Sequence, residues 1–340
     1  MATLRILADG PSSEPPSEEL VFAEDGDVMV VFSNGARVRV ASVVLSLASP
    51  VFRKMLGPRF LEGQAPRSAD EPQDIVLPED DPIATALLLR IIHFQQPVDE
   101  SVKPFLLTNF ATVADKYDCT YDVGLMSEAM LKRHTAVRLH EETAMFTLGR
   151  LTTAAFLLRQ QGLFVSFTRS LVLEVTEPFS GIMELSECGR LSASILLALE
   201  EQRTAARDTL VTALSADIQG NCVDWGCASR NWPPSIFKHE MLNALNFPSW
   251  PPTWAKWSLR SMLEKLQSAQ KVQGLRTMLC GHVYNVTLLD PASLQEICLA
   301  VRKRAYGMCP ECADQERWQS KCPHVEKLKQ GIPSEPLVLL

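Results

Sequence analysis

Residues 40–63, VASVVLSLASPVFRKMLGPRFLEG, constrain the fold more than any other stretch of this chain. Two apolar fragments flank Ser49-Pro50, and each is shorter than the roughly 12–15 residues an isolated helix needs in water. The Ser-Pro step separates them, because Ser caps a helix and Pro suits its first position. Ser42 is expected to cap the first helix, which carries Val44, Leu45 and Ala48. The second sets Val51, Phe52, Met55 and Leu56 on one side. Helices this short persist only by packing on something else.

The stretch just upstream supplies it. DVMVVFSNGARVRV (27–40) reads as a β-hairpin, with Val28–Phe32 a continuous apolar strand. Asn34-Gly35 is expected to give a positive-φ turn, and Val38 and Val40 alternate with Arg37 and Arg39. After a polar, mobile loop at 63–74, IVLPEDDP adds a strand at 75–77 and a helix capped by Asp81 with Pro82 first. That helix aligns Ile83, Leu87, Ile91 and Phe94. The next, over 102–117, aligns Leu106, Phe110, Val113 and Tyr117, and a third aligns Val123, Met126 and Met130. Residues 1–26, with Pro11, Pro15 and Pro16, read as a disordered tail in which LVFAE (20–24) is a short ordered lead-in.

This order of elements, together with Asp27 before the first strand, Ser49-Pro50-Val51-Phe52 and Ala114-Asp115-Lys116-Tyr117, resembles the BTB/POZ domain. The likeness is nearest to the BTB proteins of filamentous fungi and covers residues 27 to about 134. It implies an α+β fold that serves as a surface for protein contacts and has no inherent catalytic site. The two uses it implies are self-association and docking onto a cullin scaffold of a ubiquitin ligase. In adaptors of the second kind an apolar-x-Glu step follows the second short helix, and Phe60-Leu61-Glu62 fits; the alternative is that Phe60 covers core and Glu62 is a solvated loop charge. The chain departs from the family at Ala41, where members usually carry a His that ties strand to helix. Its Pro- and Glu-rich tail also supplies no amphipathic helix ahead of the first strand, so a homodimer, a monomer and a hetero-associating module all stay open.

Behind residue 134 the pattern is helical from 138 to 217, with SASILLALEEQRTAARDTLVTAL placing Ile195, Leu199, Leu210 and Leu214 on a stripe. No fixed-period repeat occurs. The expected class is thus α+β: a BTB-like α/β domain, then an all-α C-terminal region with a small Cys/His-rich element at 218–340. Trp225, Trp232, Trp250, Trp254 and Trp257 lie among Pro pairs, either as an aromatic platform for peptides or as plugs between helices.

The last hundred residues carry the chemistry. Cys309-x-x-Cys312 has zinc-knuckle spacing, which aims two thiolates at one metal. Cys322-x-His324 and Cys280-x-His282 offer further ligands, giving six candidates for four tetrahedral places. A two-metal version would recruit Cys222 and Cys227, and the alternative for the whole cluster is unmetallated buried thiols. An all-protein ligand set argues for structural Zn. Cys298 shares a helical face with Leu294, Ile297 and Val301 and reads as core, while Arg302-Lys303-Arg304 reads as a solvated helix end.

Composition excludes several classes. A net charge of −7 gives no sign of a basic surface for nucleic acid, a local basic patch aside. No secretory leader and no apolar run near 18 residues is present, so a cytoplasmic or nuclear protein with reduced thiols is expected. No Gly-rich phosphate loop, G-x-S-x-G elbow or H-E-x-x-H motif occurs, so no catalytic residues are assigned. The expectation is a non-enzymatic adaptor or scaffold with protein partners, a cullin or a second copy among them. The alternatives are a transcription-associated scaffold that assembles by self-association, and a metalloenzyme built on the C-terminal cluster.

Overall fold

The computed structural model describes residues 19–95, 102–135, 141–221, 257–269, 275–276, 283–284, 291–314 and 324–330. The protein is mixed α+β and mostly helical, with one four-stranded sheet. It divides into two compact units. The first holds the described residues up to 135 together with Phe146–Phe164 and Leu185–Leu191. The second holds those of Leu139–Met145, Val165–Glu184 and Ser192–Leu340.

In the first unit β1 (Leu20–Val21), β2 (Val28–Phe32), β3 (Arg37–Val40) and β4 (Gln73–Leu77) lie in the order β1-β3-β2-β4. The hairpin β2–β3 is antiparallel, pairing Val28 with Val40 and Val30 with Val38; β4 runs parallel to β2, from Val28↔Gln73 to Phe32↔Leu77. β1 runs parallel to β3, so the short lead-in at 20–24 joins the sheet. In the hairpin turn only Gly35 takes positive φ (+82°), and the Asn34 side chain instead accepts a hydrogen bond from Ala36 N. A local side-chain bond of this kind lets Asn stay right-handed beside a glycine.

The connection from β3 to β4, which passes across β2, contains three short helices: α1 (Ser42–Ala48), α2 (Pro50–Met55) and α3 (Leu61–Gln64). They stay separate. Ser49 caps α2, its Oγ accepting from Phe52 N at 3.0 Å. Ser42 does not cap α1. Ala41 holds that position, and Ser42 N and Oγ both donate to the Asp27 carboxylate, at 2.7 and 2.6 Å. The hairpin register carries Asp27 there, and a charged acceptor makes the stronger bond. Burial by itself would raise the Asp27 pKa, but the Ser42 bonds outweigh it and hold the carboxyl below its usual value.

Ala41, which stands where the resemblance leads to a histidine, is met by one from elsewhere. Its N–H donates to Nε2 of His93 at 3.1 Å, while His93 Nδ1 bonds Leu89 O at 2.8 Å. A histidine from the end of α4 (Pro82–Ile92) therefore ties strand to helix from the other side. Asp81 caps α4 through Ala84 N, as its sequence predicts. The expected stripe fails at Phe94, which lies beyond the helix end with φ 55° and is exposed; Leu87 is buried, and Ala84–Ala86, Leu88, Leu89 and Ile92 widen the buried face. The 63–74 loop is also better held than expected, with Arg67 Nη2 donating to Leu56 O and Arg39 to Ala69 O.

The motif residues converge in this unit's core. Tyr117 follows α5 (Pro104–Lys116) and stacks on Phe52, with ring centroids 4.2 Å apart and planes within 5°. Ser49 Oγ donates to Tyr117 O at 2.6 Å. Tyr117 Oη and Lys116 Nζ both donate to buried Asp80. Burial, then the bond to Asp80, drives the Tyr117 pKa far above a phenol's usual value. After α6 (Gly124–Lys132), α7 (Glu141–Leu157) contributes Arg150, which pairs with Glu187 at 2.7 Å.

The second unit is built on the later part of α8 (Gln161–Glu174), α9 (Ala193–Asn221), α10 (Leu259–Ala269) and α11 (Pro291–Arg304), with a β5–β6 pair at Leu275–Arg276 and Val283–Tyr284. The expected stripe on α9 is buried at Ile195, Leu199 and Leu210. Arg203, at 2% exposure, is the largest fully buried side chain among the described residues. It donates to Val175 O and Glu177 O, pairs with Glu200 and lies 4.2 Å from the Phe179 ring centroid. Cys298 is core, as its helical phase predicts. Of the five tryptophans singled out, only Trp257 is among the described residues, with Lys265 Nζ 4.2 Å above its ring.

Candidate functional site

The chemically distinctive group lies in the second unit. Cys309 precedes α12 (Pro310–Asp314), and Cys312 sits in its single turn, which Ala313 N closes onto Cys309 O at 2.9 Å. His324 precedes α13 (Val325–Gln330), where Leu328 N bonds His324 O. The two thiols and the imidazole offer ligand atoms that all lie within 4.8 Å of one another. His324 Nδ1 is 3.2 Å from Cys309 Sγ and 3.9 Å from Cys312 Sγ. Metal–sulfur and metal–nitrogen bonds of about 2.3 and 2.0 Å at a tetrahedral angle put S and N roughly 3.5 Å apart. The observed pair of distances brackets that value, so the residues fit a metal ion.

Nδ1 faces the thiols, which leaves Nε2 on the outer side, 3.9 Å from Glu311 Oε2. A carboxylate near the non-ligating nitrogen favours the tautomer that frees Nδ1 for metal. Both cysteines are buried, while His324 is partly exposed. Along one side runs a cavity of about 220 Å³ lined by Gln202, Tyr306, Met308, Cys309, Cys312 and Leu328. It gives the thiols an approach for a small ion.

The structure therefore brings together three of the six proposed ligands. Cys322, Cys280 and His282 lie outside the described residues, as do Cys222 and Cys227. The other described cysteines have a different character. Cys119, Cys188 and Cys298 are buried, and burial raises the pKa of each thiol, in Cys119 to about 11. They pack as inert apolar groups. Sequence reasoning missed the polar residues that carry the knuckle: Gln202, Thr168 and Arg169. Gln202 could have been found by phase, since 195, 199, 202, 206 and 210 share one buried face of α9.

The proposed docking residues sit on the first unit. Phe60 is the N-cap residue of α3 and is 50% exposed; Leu61 is 82% exposed and Glu62 partly so. Their loop is rigid by construction: Phe60 N bonds Gly57 O, Gly63 N bonds Phe60 O, and a Cβ on Gly63 would lie 1.8 Å from Gly57 O. Only glycine permits that crossing of backbone on backbone.

No protein-family model matches the chain, and none of the curated proteins matches it. Among the described residues no helix is long and apolar enough to cross a membrane.

Proposed function

We propose that the protein is a non-enzymatic adaptor whose first unit is a BTB/POZ-type docking module of the fungal kind, engaging a cullin scaffold through Phe60 and Glu62. The observation that carries this reading is the outward Phe60-Leu61 pair, held on a backbone-locked loop beside an acidic group. An aromatic anchor with a polar rim is the usual form of an interaction hot spot. The hairpin with a parallel third strand, and the convergence of Asp27, Ser49, Phe52 and Tyr117, support the family likeness. A second reading, self-association as a transcription-associated scaffold, is favoured by Val43 and Leu47, exposed one turn apart on α1.

The same reading assigns zinc to Cys309, Cys312 and His324. The remaining candidates Cys322, Cys280 and His282, which lie outside the described residues, supply the fourth ligand on this reading. A Cys₃His or Cys₂His₂ set is typical of closed, structural zinc. Reduced thiols suit the cytoplasm or nucleus.

Binding of the full chain to a purified cullin, read by interferometry, tests the docking reading. Phe60→Ala and Glu62→Arg are each expected to weaken it by about tenfold or more, the loss typical of a hot-spot residue. Absence of binding by the wild type, or equal binding by both variants, overturns it. A dimer in light scattering without cullin binding transfers the case to self-association.

A further inference from the structure

The loop that delivers Cys309 is fastened by side chains that bind no metal themselves. Gln202, buried on α9, pairs with Gly307 as one peptide group pairs with another: Nε2 donates to Gly307 O at 3.1 Å, and Gly307 N donates to Oε1 at 3.2 Å. Thr168, wholly buried on α8, accepts from Met308 N at 2.9 Å while its hydroxyl donates to Val165 O. Gly307 has φ +81°, and a Cβ there would stand 2.6 Å from Val165 O. Arg169 Nη2 reaches both Tyr306 O, at 3.3 Å, and Leu328 O, at 3.4 Å. One guanidinium thus spans the segment before the CxxC turn and the helix that follows His324.

From this fastening we infer that Gln202, Thr168 and Arg169 are positioning residues that hold the metal centre assembled before metal arrives. The inference rests on the metal reading above and extends it. In a small zinc knuckle the ion itself orders the ligands, and the chain unfolds without it. Here buried polar bonds from α8 and α9 do the ordering. The centre can then load and release its ion through the adjoining cavity with the surrounding helices intact.

The test uses the full chain. Wild type is expected to hold zinc, displaced only by a strong chromophoric chelator. In the chelated protein the amides of Gly307 and Met308 stay protected from hydrogen exchange. Gln202→Leu should weaken Zn²⁺ binding by about 10- to 100-fold, the usual effect of losing an outer-shell partner. Its far-UV circular dichroism should be unchanged, and so should the positions of its Co²⁺ ligand-field bands, because no ligand is lost. If Gln202→Leu does not fold, Arg169→Met carries the same comparison. Equal Zn²⁺ affinity in wild type and variant, or exchange of the two amides on chelation, overturns the inference and leaves the metal reading standing. A wild type that takes up no Zn²⁺ removes the metal reading itself and the inference with it.

Discussion

Ser49→Ala should be among the most costly single-atom deletions in the first unit. The Ser49 hydroxyl does two jobs: it accepts from Phe52 N at the start of α2 and donates to Tyr117 O, 68 residues away. Losing the cap costs about 1 kcal/mol. Orphaning the buried Tyr117 carbonyl costs about 1–3 kcal/mol more. The Cys119 thiol, 3.5 Å from that oxygen, offsets only a little, since sulfur is a weak donor. The sum is about 2–4 kcal/mol, a large part of the 5–15 kcal/mol that stabilises an ordinary domain. All six tryptophans lie beyond residue 220, so fluorescence would report the wrong part of the chain. Hydrogen exchange of the α2 peptide reads the loss directly, and 2–4 kcal/mol corresponds to roughly thirtyfold to several hundredfold faster exchange. Ser49→Gly separates the two jobs, because glycine is a tolerable cap that costs only a few tenths of a kcal/mol at that position. If Ser49→Gly restores near-wild-type exchange, the bond to Tyr117 contributes nothing and the reasoning fails.

Two further expectations concern the same unit. Burial holds the His93 pKa below the ordinary imidazole value, against the raising effect of its bond to Leu89 O, so the folded state resists protonation while the unfolded chain does not. The unfolded state therefore binds more protons, and stability is full above about pH 6.5 and falls as pH drops below it. Urea midpoints at pH 7.5 and 5.5 check this, and a His93→Gln chain should lose that slope. Gly63→Ala should drive the 57–63 backbone apart at a cost of about 1–3 kcal/mol, and under the docking proposal it should weaken binding to a cullin although residue 63 carries no docking side chain. Full binding by a folded Gly63→Ala protein would separate the loop's rigidity from its use.

What could be read from the sequence was what neighbours in sequence decide. The Asp81 cap, the Ser49-Pro50 break and the hairpin each depend on residues within a few positions, and each appears where the pattern puts it. The CxxC turn is local in the same sense. The errors arise where a distant group intervenes. Ser42 is taken over by Asp27, and Ala41 is met by His93 from 52 residues away. Phe94 leaves its stripe because the helix ends before it in a left-handed turn. Gln202 shares the buried phase of α9 and Arg169 looks like an ordinary solvated helix residue, but only the fold gives them Gly307, Tyr306 and Leu328 as partners.

The residues that carry the family likeness are nearly all employed inside the fold. Asp27 holds α1, Ser49 joins α2 to Tyr117, and Phe52 and Tyr117 fill the core between them. A chain would need these groups to build this unit whatever the unit were used for, so the likeness bears on architecture and is silent on partners. Information about partners has to come from side chains the fold does not consume. Among the described residues of the first unit those include Phe60 and Leu61, exposed where glycines fix the backbone, and Val43 and Leu47 on α1. Stability lost at Ser49 would thus confirm only how the surface is supported. Binding lost at Phe60 in a chain of unchanged stability is what would connect that surface to a function.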